Sequence, residues 1–135
     1  MPAFTIEKKP DLPVILQTFA PDWTMSKDLK ATMADAFALL EASSEPLYYI
    51  ADMSADPKFS FTDVSVAVNE ISRSANAVLK HPHMKEHIVI TQSPLIKLSV
   101  KGLNSDVFGR VPARTFETLE AAIDYIRSQI AEPVR

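Results

Sequence analysis

The sequence predicts an α/β domain: a mixed, mostly parallel sheet of about five strands with four covering helices, in the order ββαβαβαβα. Three observations carry this. Short apolar runs alternate with longer stretches in which apolar residues recur every three to four positions, which is strand–helix alternation. "LYYIADM" (Leu47–Met53) is almost wholly apolar, as a strand covered on both faces must be. "FTIEK" (Phe4–Lys8) and "VILQTFA" (Val14–Ala20) are joined by a proline-marked turn too short for a parallel crossover, so they pair antiparallel.

Each element follows from local chemistry. Phe4–Lys8 alternates apolar and polar residues, the pattern of a half-buried strand. The first helix starts near Thr24 or Ser26, both good N-caps, and carries the stripe Leu29, Met33, Phe37 and Leu40. "SSEP" (Ser43–Pro46) ends it. A second helix is expected from Ser60, where Ser60-Phe61-Thr62-Asp63 fits a capping pattern, with Phe61, Val64, Val68, Ile71, Ala75 and Val78 on one face. "HIVIT" (His87–Thr91) is the fourth strand. Ser93-Pro94 opens a third helix, with serine as cap and proline at the first helical position. Ile96, Val100, Leu103 and Val107 form its stripe, and Gly109 stops it. "ARTF" (Ala113–Phe116) is a short fifth strand. Thr118 caps a last helix whose Leu119, Ala122, Ile123, Ile126 and Ile130 face inward. Repeated strand–helix–strand units imply right-handed crossovers.

Composition narrows the functions. The 135 residues are the size of one domain, 1–135, and can bury a core without staples. With no cysteine, disulfides, thiolate zinc sites and cysteine nucleophiles are excluded. Only two glycines occur, Gly102 and Gly109, so no dinucleotide loop, P-loop or nucleophile elbow can be written. A net charge of -3 gives no electrostatic case for nucleic acid or anionic membranes. No apolar stretch approaches the roughly 20 residues of a membrane span. "MPAFTIEKKP" has no signal-peptide core, so a cytoplasmic location is expected.

The element order, with "IVITQSPLIKLSVKGLNSDVFGRVPARTF" followed by "ETLEAAIDYIRSQI", resembles the STAS / SpoIIAA-like (anti-sigma-factor antagonist fold) family, in an uncharacterised bacterial branch. The resemblance in order spans nearly the whole chain and is specific mainly over residues 88–130. It implies an interaction domain, usually without catalysis, that binds a protein partner; with the absent catalytic motifs and the apolar face of the third helix, the expectation is a non-enzymatic interaction or regulatory module without cofactor, forming a homodimer. In the best-known branch a D-S-S/T-G motif at the start of the second helix holds a serine phosphorylated by the partner kinase. Here "ADMS" (Ala51–Ser54) runs into "ADPKFSFTD", with no glycine and no D-S pair; Ser60 is the nearest positional match and Thr62 the next.

Several groups are candidates for a site. The loop after the third strand offers Asp52, Ser54, Ser60 and Thr62, at the sheet edge where open α/β folds place ligands, and Ser93 stands at the equivalent place after the fourth. Ser60 also reads simply as a helix cap. On the third helix, apolar Leu95, Leu98 and Phe108 lie off the main stripe among Lys97, Lys101, Arg110 and Arg114, which suits a partner surface or a homodimer seam. The same residues also suit a helix buried on two sides. A small apolar, lipid-like ligand between helices and sheet, as in the CRAL-TRIO type, would be lined by Trp23, Phe37, Phe61 and Phe108. A serine hydrolase would use Ser54, Ser60 or Ser93, but no spacing pairs them with a histidine. All three histidines fall in "LKHPHMKEHIVIT". With Glu86 they make a poor zinc set, because Pro82 bends His81-Pro82-His83 into an irregular turn. The plainer expectation is an exposed loop, with His81 at the C-terminal end of the second helix and His87 half-buried at a strand entry.

Overall fold

The structure, a computed structural model, describes residues 4–55, 62, 81–103 and 113–131. Five strands form one sheet: β1 (Phe4–Lys8), β2 (Val14–Phe19), β3 (Leu47–Asp52), β4 (Met84–Ile90) and β5 (Ala113–Phe116). Their order across the sheet is their order in the chain. β1 runs antiparallel to β2, as the short Lys9–Pro13 connection requires, and every other neighbour pair is parallel.

Three helices lie among the described residues: α1 (Met25–Ala42), α2 (Pro94–Leu103) and α3 (Leu119–Ala131). Four were expected. The expected helix from Ser60 to Val78 falls outside the described residues apart from Thr62, which is helical and exposed. α2 is described as far as Leu103; the expected stripe position Val107 and the stop at Gly109 lie outside the described residues.

The pleat divides the core into two layers. On one face Ile15, Phe19, Tyr49, Ala51 and Val89 meet Ala36 and Leu40 of α1 and Ile96 and Val100 of α2. On the other, Val14, Leu16, Tyr48, Ile50, Ile88 and Ile90 meet Ala122 and Ile126 of α3. All six residues of β3 are buried, which is why its sequence reads as an unbroken apolar run. Along α3, Ile130 was expected to face inward and is instead 48% exposed, one turn beyond the last core contact at Ile126.

The helix starts follow the expected chemistry with one variation. Ser93 Oγ accepts the Ile96 amide at 3.3 Å, and Thr118 Oγ1 accepts the Ala121 amide at 3.1 Å. At α1, Thr24 holds the N-cap position without a side-chain cap bond; Asp28 reaches back and accepts the Thr24 amide at 2.8 Å. That places a carboxylate where the helix dipole favours one.

β4 begins three residues earlier than the apolar run suggests. A register shift between Leu47 and Tyr48 leaves Leu47 opposite Met84 and Tyr48 opposite Glu86. The intervening Lys85 is exposed, with its ammonium 5.5 Å from the centre of the Tyr48 ring. The irregularity therefore turns Glu86 to the α3 side and His87 to the α1 side.

Candidate functional site

The C-terminal edge of the sheet brings two of the predicted loops together. Asp52 and Ile90 are register partners at the ends of β3 and β4, and the Met53 amide donates to the Ile90 carbonyl at 2.9 Å. Beyond that junction each loop closes on itself. Asp52 Oδ1 accepts from the Ser54 amide at 3.0 Å and from the Ser54 hydroxyl at 2.6 Å. Thr91 Oγ1 accepts the Ser93 amide at 3.0 Å, leaving the Ser93 hydroxyl to cap α2. Asp52 and Thr91 are both buried. The edge thus holds Asp52, Ser54 and Ser93 at and just beyond the ends of adjacent strands, each already engaged. Ser60 lies outside the described residues, and Thr62 is exposed.

The α2 surface is only partly the patch expected. Leu98 is 67% exposed. Leu95 is half-buried and packs against the core. Lys97 pairs with Glu117 at 2.9 Å, and its ammonium holds the Glu117 carboxyl below the usual range. Lys101 is exposed, while Phe108 and Arg110 lie outside the described residues. Arg114 does not rim this surface. Its Nε donates to Glu86 Oε2 at 2.6 Å on the opposite face, where the guanidinium also sits 4.3 Å from the centre of the Tyr125 ring. Tyr125 Oη donates to Glu86 Oε1 at 2.7 Å. These bonds account for an almost wholly buried carboxylate. They also remove Glu86 from any set with the histidines.

The histidines are placed differently from the expected exposed loop. His81 is buried; its Nε2 meets Glu41 Oε1 of α1 at 2.7 Å, and its ring lies edge-on to Phe37. His83 Nδ1 reaches the Leu40 carbonyl at 2.9 Å. Both therefore serve the C-terminal end of α1. Among the described residues no group of three or more His, Cys, Asp or Glu side chains could hold a metal ion. Trp23 and Phe37, offered as cavity lining, are occupied: Trp23 is 3% exposed, edge-on to Phe19 at 4.9 Å, with its indole N–H on Thr32 Oγ1. Phe61 and Phe108 lie outside the described residues.

The sequence reading missed a buried polar group on the α1 side of the sheet. Gln17, Tyr49 and His87 come from β2, β3 and β4, and all three are buried. Tyr49 Oη donates to Gln17 Oε1, and the Tyr49 and His87 rings lie 5.6 Å apart. Gln17 Nε2 and His87 Nδ1 are buried without a hydrogen-bond partner among the described residues. Burial pushes the His87 pKa down to about 4, against a smaller upward pull from a hydrogen bond with the Tyr49 backbone. Burial, and then the charge of Asp35 on α1, raises that of Tyr49. The available signal was a polar Gln17 inside an otherwise apolar strand, a pattern that period-two counting assigns to the solvent side, and a His87 expected only half-buried at a strand entry.

No family model and no curated protein matches the sequence. Among solved structures, the chain is similar to an uncharacterized DUF3478-family protein with a SpoIIAA-like fold from Shewanella loihica PV-4. The two superpose with a TM-score of 0.56 and 16% identity, over 92% of each chain. No helix among the described residues is long and apolar enough to cross a membrane. The likeness covers sheet and helices alike, and the chain has a SpoIIAA-like fold.

Proposed function

We propose that this protein acts by binding a protein partner, a second copy of itself included, and not by catalysis. The observation that carries the reading is how the hydroxyl and imidazole groups are used. None of the described serines or threonines hydrogen-bonds a histidine. Ser54 serves Asp52 and Ser93 serves its helix, while His81 and His83 serve α1 at the far end of the strands. A nucleophile without a base within reach is not activated. What the surface offers instead is Leu98, 67% exposed beside Lys97 and Lys101 on α2. An apolar residue with a charged rim suits a contact that excludes water at its centre.

Light scattering at tens of micromolar tests self-association. The expected mass is twice the 15.0 kDa of the chain, returning to the single-chain value in Leu98→Glu. A clean monomer removes the homodimer. Hydrolysis of a panel of simple esters that is lost in Ser93→Ala would replace the binding reading with a hydrolase.

A further inference from the structure

We propose that β1 is a docking edge for a partner protein, which adds an extended segment carrying lysine or arginine among aliphatic residues as a further strand beside Phe4–Lys8. This rests on the reading that the protein works by binding a partner, and it uses a surface separate from α2.

β1 is one end of the sheet, so one row of its backbone groups faces outward. The ladder with β2 shows which row. The Lys9 amide donates to the Val14 carbonyl at 2.9 Å, and this pair continues the register in which Lys8 is opposite Ile15. Antiparallel bonding alternates, so Glu7 and Thr5 also bond inward, while Phe4, Ile6 and Lys8 point their N–H and C=O groups away from β2. An added strand finds its donors and acceptors at these three residues.

The usual guards of an edge strand are missing here. β1 has no proline, and its register with β2 runs without a bulge from Phe4 to Lys8. Its one lysine is turned back on the following turn: Lys8 Nζ donates to the Lys9 carbonyl at 2.6 Å and to the Leu12 carbonyl at 2.9 Å. The opposite edge is guarded, since β5 is four residues long and Pro112 directly precedes it.

Helix α1 gives the edge an overhang and a charge. It lies against β1, and half-buried Phe4 and Ile6 pack into the same layer. The buried stripe of α1 runs through Thr32, Ala36 and Leu40. Phe37, on one side of that stripe, meets the His81 ring ahead of β4, toward the middle of the sheet. Leu39 and Asp35 stand on the other side of the stripe, over β1. Leu39 is half-buried; Asp35 and Glu7 are exposed and pair with no cation among the described residues.

That border selects the occupant. Aliphatic side chains fit beside Phe4, Ile6 and Leu39, and lysine or arginine beside Glu7 and Asp35. A second copy fits worse: twofold pairing sets like surfaces together, and so brings the two carboxylates of one chain toward those of the other. In strand addition the main-chain bonds supply affinity and the flanking side chains choose the partner.

The test uses the capped peptide Lys-Val-Lys-Val-Lys-Val as probe and its Glu-Val counterpart as control, with amide NMR and hydrogen exchange at neutral pH. The lysine peptide is expected to give saturable shifts along Phe4–Lys8 and at Asp35. It should slow exchange of the Phe4, Ile6 and Lys8 amides and leave those of Thr5 and Glu7, already bonded to β2, little changed. Lys8→Pro removes one outward donor and spares the β2 ladder, and should weaken binding about tenfold, the worth of one hydrogen bond. Asp35→Lys, on the helix surface, should weaken it about fivefold with the melting temperature unchanged. Leu98→Glu should bind as wild type does, so a failure at β1 leaves the α2 reading standing. Absence of saturable shifts overturns the proposal, as does equal binding of the glutamate peptide. Protection of the three outward amides that grows with protein concentration alone also overturns it, because a second copy then covers the edge.

Discussion

His83 donates its Nδ1 proton to the carbonyl of Leu40 at 2.9 Å and so ties the turn before β4 to the last turn of α1. A carbonyl only accepts, which fixes the His83 tautomer. His81 is fixed in the opposite sense: its Nδ1 accepts the His83 amide at 3.0 Å, so its Nε2 carries the proton toward Glu41. The Ser43 amide also donates to Leu40, at 3.2 Å. The helix end is thereby closed by residues some forty positions away as well as by its own neighbour.

His83→Ala should lower unfolding free energy by about 1 kcal/mol, the usual worth of one such bond. His81→Ala, which also empties a buried ring site, should cost about 2 kcal/mol. The double variant should cost less than the sum, because the two rings share one network. Urea unfolding measures all three. Zinc should leave the wild-type melting temperature unchanged; a zinc-dependent rise abolished by His83→Ala would make these residues a metal site.

Acid should weaken the fold through His87. Its pKa falls from an ordinary 6.5 to about 4 on folding. Between those values the unfolded chain takes up a proton that the folded chain refuses. Stability is intact above pH 6.5 and drains away as pH falls toward 4, by about 3 kcal/mol at full extent. His87→Leu should flatten this limb, read as denaturation midpoints at pH 7.5 and pH 4.5. An unchanged slope would mean that other groups set the acid limit.

The alkaline limit belongs to the tyrosines. The chain has three, Tyr48, Tyr49 and Tyr125, and burial raises the pKa of each, that of Tyr125 to about 12. Phenols held protonated in the fold stabilise it below their ordinary value of about 10, and that contribution is lost as pH rises beyond it. Absorbance at 295 nm should therefore show no phenolate until the protein begins to unfold. A titration near pH 10 with unchanged circular dichroism would count against the Tyr125–Glu86 contact.

Leu98→Ser should leave stability within about 0.5 kcal/mol of wild type, because little of that side chain is buried within the chain. Its effect should fall on association alone. A large loss of monomer stability would mean that Leu98 packs inside the fold in solution.

The strands were legible because burial on two faces leaves a compositional mark, as in Leu47–Asp52, and the caps at Ser93 and Thr118 were legible because their chemistry is local. The histidine placements were not. The bond from His83 to Leu40 spans 43 residues, and no periodicity reports it. Glu86 looked available as a ligand because nothing near it in sequence reveals Arg114 or Tyr125. Gln17 was hidden by the convention that a polar residue in a strand faces water, and His87, expected half-buried at a strand entry, is buried because β4 already starts at Met84. Arg114 was placed beside α2 on sequence proximity, but as a β5 residue its side follows the pleat.

The two faces of the sheet are covered by very different parts of the chain. α1 and α2 come between strands, whereas α3, the described helix on the Val14–Ile90 layer, follows the last of them. During synthesis the sheet can therefore be assembled strand by strand while that layer still lacks its described helix. A nascent chain holding all five strands but not residues 119–131 displays Leu16, Tyr48, Ile50 and Ile88 to its surroundings. That interval is when it is most exposed to aggregation and most in need of a chaperone.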